Sequence, residues 1–532
     1  MNKVDKLFAQ WDKPDVPGCA LAVMQRGDIV YKRGYGMANL EYDIPITPTT
    51  IFHVASVSKQ FAACAIVLLA LEEKLSLDHN VCQYVPELPD LGDSISIRHL
   101  IYHTSGLRDQ WVLLILAGWR MDDVITTQDV LELTKRQQEL NFKPGAEHLY
   151  CNTGYTLLSV IVERVSGKSL RDFCDERIFQ PLGMLNTHFH DDHTMIVKNR
   201  AYSYEPQGED SFKHSVLSFA TVGATSLFTT VEDLALWEQN FYDGTVGGQD
   251  MVQQLHTQGV LNDGEQIEYA FGLSVSDYRG LKVVQHSGGD AGYRSHLMRF
   301  PEQHFSVAIL GNVSILNPSE LAKRVADVYL ANAFLDEKAE QATPIELSIQ
   351  ELENKAGIYY NAGRVQTRRL EMREDKLVMV VGPGLELAPL ARDLFQVVAF
   401  PQAKLKFETA ADGTLQMHEM MGNAKPVIYA SVTLVSPTVK ELATYAGTYH
   451  SPELDVNYVV ALQEGQLVLR RQKYGASQLQ PTFVDGFTGD LVPGTGDVGG
   501  LDITFDRDNE DRVLGLRLSA GRIRNLWFSR QD

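Results

Sequence analysis

The chain has 532 residues, 44% of them hydrophobic and 22% charged, with a formal net charge of −20. This is the composition of a globular protein, long enough for about three domains. The acidic balance argues against a nucleic-acid partner, because phosphate binding needs a basic surface.

The longest uninterrupted apolar run, Phe61 to Leu71, is too short to cross a bilayer, so no membrane span is expected. The opening Met1-Asn2-Lys3-Val4-Asp5-Lys6 leads into a polar segment without an apolar signal core. That points to the cytoplasm, or to the periplasm if a leader has been removed. Cys19, Cys64, Cys82, Cys151 and Cys174 contain no Cys-x-x-Cys pair and read as free thiols of a reducing compartment.

In chain order, Ala20–Met24 and Ile29–Tyr31 read as a hairpin turning at Gln25-Arg26-Gly27-Asp28. A helix begins around Ser56 and runs through the apolar stretch to Leu71. Further helices are expected at Tyr155–Val165, stopped by Gly167, and at Val231–Phe241 after Thr229-Thr230. Strands return at Leu281–Gln285, His296–Phe300 and Ser306–Leu310, followed by a helix over Pro318–Phe334. Strands at both ends of a helical region suggest one sheet built from distant segments and flanked by helices, an α+β layering.

Residues 336–344 read as a polar linker, and beyond them short alternating runs indicate all-β modules. Those modules repeat. Glu351-Leu352, Ala356-Gly357 and Tyr359 recur as Glu441-Leu442, Ala446-Gly447 and Tyr449, and Glu374 with Leu377-Val378 recurs as Glu464 with Leu467-Val468. Pro389, Asp393 and Phe395 then match Pro481, Asp485 and Phe487 two residues further on, so the second copy carries a longer loop near Arg470–Ser477. The expected division is therefore residues 1–335, then a β-barrel at 345–436 and its duplicate at 437–532.

Three clusters carry chemistry. In Ser56-Val57-Ser58-Lys59, residues three apart share a helix face, so the Lys59 amine reaches the Ser56 hydroxyl. A serine hydroxyl is a poor nucleophile until a neighbour takes its proton, and a helix N-terminus offers N–H groups to a developing oxyanion. Taken alone, the same residues fit a capping serine and a solvated lysine. Tyr150-Cys151-Asn152 would project phenol and carboxamide to one side of an extended segment. A phenol beside an ammonium loses proton affinity and can act as a general base; the bland alternative is a packed tyrosine and an asparagine turn. Finally His286-Ser287-Gly288-Gly289 ends a β-branched run, and its small residues would let the backbone approach a ligand. Without context that is a strand ending in a Gly-Gly turn.

In this order, Ser56-x-x-Lys59, Tyr150-x-Asn152 and His286-x-Gly288 resemble the serine β-lactamase and penicillin-binding protein superfamily. His103-Thr104-Ser105-Gly106-Leu107, Pro181-Leu182-Gly183-Met184, Val231-Glu232-Asp233-Leu234 and Phe271-Gly272-Leu273 add to the resemblance, which covers about residues 14–334. The Tyr-x-Asn spelling is similar to the branch of class C β-lactamases, D-alanyl-D-alanine carboxypeptidases, D-aminopeptidases and esterases. Two trailing barrels, with Ser105-Gly106-Leu107-Arg108-Asp109, resemble bacterial D-aminopeptidases. His286 stands where true β-lactamases have the lysine of Lys-Thr-Gly, which puts efficient β-lactam hydrolysis in doubt. In D-aminopeptidases a loop of the last barrel helps recognise the substrate ammonium; the matching Arg470-Arg471-Gln472-Lys473-Tyr474-Gly475 is basic and would repel one.

The resemblance implies a five-stranded antiparallel sheet with helices on both sides, followed by two eight-stranded barrels. It implies a serine hydrolase working through an acyl-enzyme on short D-amino-acid peptides or amides, of D-aminopeptidase or D-Ala carboxypeptidase type. Ser56 attacks, Lys59 and Tyr150 share the proton work, and His286 polarises the site opposite. Asn152, Ser287, Gly288 and Gly289 bind the substrate, and the Ser56 and Gly289 N–H groups hold the oxyanion. This chemistry calls for no metal or cofactor. A carboxylesterase with weak or no β-lactamase activity is the alternative within the family, and a penicilloyl-accepting sensor without turnover the alternative outside enzymology. The substrate is a small molecule or short peptide, and a homodimer is left open.

Other motifs carry less. Ser166-Gly167-Lys168-Ser169 lacks the first glycine of a phosphate loop, with valine at 162. His99 with His103, and His188, His190 and His193, have metal-compatible spacing but read better as structural histidines. No Gly-x-Ser-x-Gly elbow is present.

Overall fold

The computed structural model describes residues 3–208, 211–335, 344–422, 424–492 and 500–531. It divides into two units, Met1–Gln110 with Met121–Glu337, and Trp111–Arg120 with Lys338–Asp532.

The first unit is built on one antiparallel sheet. Its strands are β1 (Cys19–Gln25), β2 (Asp28–Tyr35), β3 (Ser274–Tyr278), β4 (Leu281–Asp290), β5 (Tyr293–Phe300) and β6 (Phe305–Gly311), in the spatial order β3-β4-β5-β6-β1-β2. The sheet thus has six strands, not the expected five. The extra one is β3, a short edge strand whose Ser274 to Tyr278 pair with Gln285 to Leu281. It leaves the far end of β4, from His286 to Asp290, without a paired strand on that side among the described residues. Alternation along each strand divides the side chains between two cores. Ala20, Ala22, Val284, Ala308 and Leu310 face one, and Leu21, Val23, Val283, Val307 and Ile309 face the other.

Helices α1 (Lys59–Leu71), α2 (Asn152–Ser166) and α3 (Val231–Asp243) fill the first side, and α4 (Pro318–Tyr329) the second. Every residue of α1 from Lys59 to Leu69 is buried, which is why its sequence is apolar all round. Gly167 closes α2 in the left-handed conformation, at φ 74°, so the phosphate-loop fragment is a helix stop. Thr230 caps α3 by accepting from the Asp233 N–H. Helix α4 ends at Tyr329 instead of Phe334, because the last turn passes into a loop.

The second unit holds two closed eight-stranded barrels, over Gly357–Val432 and Gly447–Arg530. The two extra residues of the second copy lengthen one hairpin, where Arg471 pairs with Gly475. Arg471 is buried and donates to the Leu491 carbonyl and the Ser477 hydroxyl, so this charge is turned into the barrel instead of being offered by the loop. The unit also includes Trp111–Arg120, drawn from the middle of the expected first domain. Tyr458 donates to the Leu116 carbonyl at 2.6 Å and Tyr474 to that of Trp119. All but one residue of the expected linker, 336–343, lies outside the described residues. Among the described residues no helix is long and apolar enough to cross a membrane.

Candidate active site

Ser56 sits in a 3-10 turn, Ala55–Ser58, that runs directly into α1 at Lys59. In that tighter helix residues three apart eclipse, which stacks the Lys59 amine on the Ser56 hydroxyl. Their separation is 3.0 Å. The lysine has no solvent exposure, and its Nζ also donates to the Asn152 carboxamide oxygen at 2.8 Å and to the Ala224 carbonyl at 2.7 Å. A buried ammonium is tolerable only when its donors are matched, and three are matched here.

Asn152 is not in an extended segment with Tyr150, as the spacing suggested. It is the first residue of α2, where it takes its direction from Asp109: both its backbone N–H and its Nδ2 donate to one Asp109 oxygen, at 2.8 Å each. Because that carboxylate only accepts, it fixes which end of the carboxamide meets Lys59. Tyr150 precedes the helix, its ring centroid 4.8 Å from the Lys59 ammonium and 4.1 Å from the His103 ring. The sequence contains Asp109 within a quoted motif but gives it no task; only its neighbours in space do so.

His286 approaches from β4. Its Nδ1 lies 2.7 Å from the Ser287 carbonyl, which can only accept, so Nδ1 carries the proton and Nε2 takes the Tyr269 hydroxyl at 3.0 Å. Burial, reinforced by the Lys59 charge, pushes its pKa down to about 3. The imidazole is therefore neutral and committed on both nitrogens. Tyr269 lies two residues before the quoted Phe271-Gly272-Leu273, but that motif gave the tyrosine no task.

Gly288 packs against the Ser56 turn. A Cβ there would lie 2.2 Å from the Val54 oxygen and 2.9 Å from the Ser56 nitrogen, so only glycine lets β4 come this close. Ser287 is turned to the other side of the strand, where its hydroxyl meets His296 Nδ1 at 2.7 Å. Ser56, Tyr150, Tyr269 and His286 to Gly289 line one cleft of about 440 Å³. It continues past the open edge of β4 to Gln285, His296, Ser319 and Lys323. Of the metal-spaced histidines, His99 belongs to the cap of a short helix begun by Ser96, and His103 Nδ1 accepts from the Cys151 N–H at 3.0 Å.

Residues 4–331 match the family model described as Beta-lactamase. The chain belongs to the β-lactamase family. This family member is a serine hydrolase. Among its relatives, a D-aminopeptidase of Gluconobacter oxydans is 29% identical over 297 residues, a stretch that makes up 56% of each chain. A D-aminopeptidase of Brucella ovis is 24% identical over 534 residues, 97% of this chain and 96% of the relative. Among solved structures, the octameric penicillin-binding protein homologue from Pyrococcus abyssi has the same fold, with a TM-score of 0.58 at 22% identity over 90% of this chain and 100% of that one.

Proposed function

We propose that this β-lactamase family enzyme hydrolyses short amides and peptides of D-amino acids through an acyl-enzyme on Ser56. The observation that carries the reading is the Lys59 ammonium set between the Ser56 hydroxyl, at 3.0 Å, and the Asn152 carboxamide, at 2.8 Å. Ser56 attacks the carbonyl carbon, and its proton passes to the deprotonated member of the Lys59–Tyr150 pair, which then gives it to the leaving amine as the C–N bond breaks. The tetrahedral oxygen is received by the Ser56 and Gly289 N–H groups. Asn152 orients the substrate, and His286, through its fixed dipole, lines the opposite wall. Water then attacks the ester to release the acid.

Preference for the D configuration is supported by the two relatives named D-aminopeptidase, one of them aligned over 97% of this chain. A neutral His286 at the place of a β-lactamase's lysine leaves a β-lactam carboxylate without its cation there, so weak or absent β-lactamase activity is part of the proposal. The test is a panel of D-Ala p-nitroanilide, D-Ala-D-Ala, short p-nitrophenyl esters and a penicillin, each with wild type and Ser56→Ala. Hydrolysis of the D-Ala amide and not its L counterpart, abolished by Ser56→Ala, is the expected result. Ester turnover alone would favour a carboxylesterase, and a stable penicilloyl adduct in the intact mass without turnover would favour a sensor.

For assembly the proposal remains a homodimer, with the octamer of the Pyrococcus relative as the competing outcome; sedimentation at micromolar concentration separates them. The proposed compartment is the cytoplasm, supported by five cysteines present as thiols, and tested by cell fractionation.

A further inference from the structure

Ala55, immediately before Ser56, has φ 46°, a conformation that costs any residue with a Cβ. Such a residue persists only where its surroundings hold it. The Ala55 carbonyl accepts from the Ser58 hydroxyl at 2.5 Å, and the Ala55 N–H donates to His53 Nδ1 at 3.1 Å. That second bond has a consequence for the imidazole. Since Nδ1 accepts, the neutral ring carries its proton on Nε2, which lies 3.3 Å from the Thr225 hydroxyl oxygen. The single Thr225 hydroxyl proton then goes to Asp290 Oδ2, at 2.5 Å. Every bond in this chain runs one way, from the Ala55 amide and the His53 Nε2–H to a carboxylate. Burial, with Arg200 and His190 nearby, keeps His53 neutral, as this direction requires.

The two ends of the chain are not arbitrary. Asp290 follows Gly289 on β4, and Ala55 precedes Ser56, so it connects the two segments that carry the proposed oxyanion donors. Its middle is fixed as well, because Ala224, next to Thr225, gives its carbonyl to Lys59 at 2.7 Å. We propose that His53, Thr225 and Asp290 are positioning residues that hold the Ser56 and Gly289 N–H groups in register for the tetrahedral oxygen, an inference that rests on Ser56 being the nucleophile. None of the three touches the reacting atoms. They act on donors whose value appears only when charge develops on the oxygen, so their loss lowers kcat and leaves KM in place.

The experiment compares wild type, Ser56→Ala, Thr225→Val and Thr225→Ser on a p-nitrophenyl ester or D-Ala p-nitroanilide, with melting temperatures alongside. Thr225→Val keeps the shape and removes the hydroxyl; it is expected to lower kcat about tenfold or more, with KM within about twofold of wild type. Thr225→Ser restores the hydroxyl and is expected to recover most of the rate, which a role in packing alone would not give. If Ser56→Ala is inactive while Thr225→Val keeps its kcat, the positioning role is overturned and the nucleophile stands. Equal losses in Thr225→Val and Thr225→Ser also overturn it. If Ser56→Ala remains active, the reading of the nucleophile is what fails. Should Thr225→Val not fold, Asp290→Asn carries the same test, with unchanged kcat as the overturning result.

Discussion

One Asp109 oxygen accepts from both the backbone N–H and the carboxamide of Asn152, and the other end of that carboxamide accepts from Lys59. Asp109 thus bears on the lysine through Asn152. Asp109→Ala leaves two buried donors unmatched, a loss of roughly 1–3 kcal/mol for each buried group. The expected outcome is a melting temperature several degrees lower and a kcat reduced about 10- to 100-fold, because Lys59 loses a fixed partner. Calorimetry with steady-state kinetics checks both, and a variant with wild-type kcat would remove Asp109 from the site's account.

Gly288→Ala tests the close approach of β4 to the nucleophile turn. Its Cβ would meet two backbone atoms, the Val54 oxygen at 2.2 Å and the Ser56 nitrogen at 2.9 Å, so the strand has to move away. Loss of one oxyanion donor costs roughly 100- to 1,000-fold in kcat, and a fall of that order is expected here. Ester hydrolysis within threefold of wild type would show that the strand need not sit so near.

Buried neutral histidines set the acid limit of the fold. His256, His286 and His296 are each pushed down to about 3 and His190 to about 4, in each case first by burial. Unfolded, all would titrate near 6.5. Between those values the unfolded chain binds more protons, so stability is full above about pH 6.5 and falls steadily as the pH drops toward 3–4. Melting temperatures from pH 8 to 4 should decline most below 6. His286 itself is expected to contribute no inflection to the kcat/KM profile between pH 5 and 8, and replacing it by glutamine should leave the positions of the limbs unchanged.

Lys323 contributes a cation to the lining of the cleft. Dipeptides with a free carboxylate are expected to gain from it. Lys323→Met should raise KM for D-Ala-D-Ala by up to about fivefold, the value of a partly exposed ion pair, and leave D-Ala amide nearly unaffected. Equal effects on both substrates would detach the lysine from substrate recognition.

Local rules were enough for much of this protein. The run Phe61–Leu71 marked the central helix, Thr229-Thr230 and Gly167 marked the start of one helix and the end of another, and the repeat from Glu351 to Glu441 marked two copies of one barrel. Each depends on residues close in sequence, where periodicity, caps and turn chemistry operate. Through the family resemblance it carries, the order of Ser56, Tyr150 and His286 also implied which residues meet.

What the sequence could not contain is how they meet. The edge strand Ser274–Tyr278 forms because a neighbour is present, Asn152 becomes a helix start, and Arg471 turns into the barrel. Asp109 and Tyr269 gain their tasks from partners 43 and 17 residues away, and Thr225 from His53 at a separation of 172. Hydrogen-bond direction is the physical reason: whether Asn152 offers oxygen or nitrogen, or His53 carries its proton on one nitrogen or the other, is decided by the group opposite. That group is known only once the chain has folded.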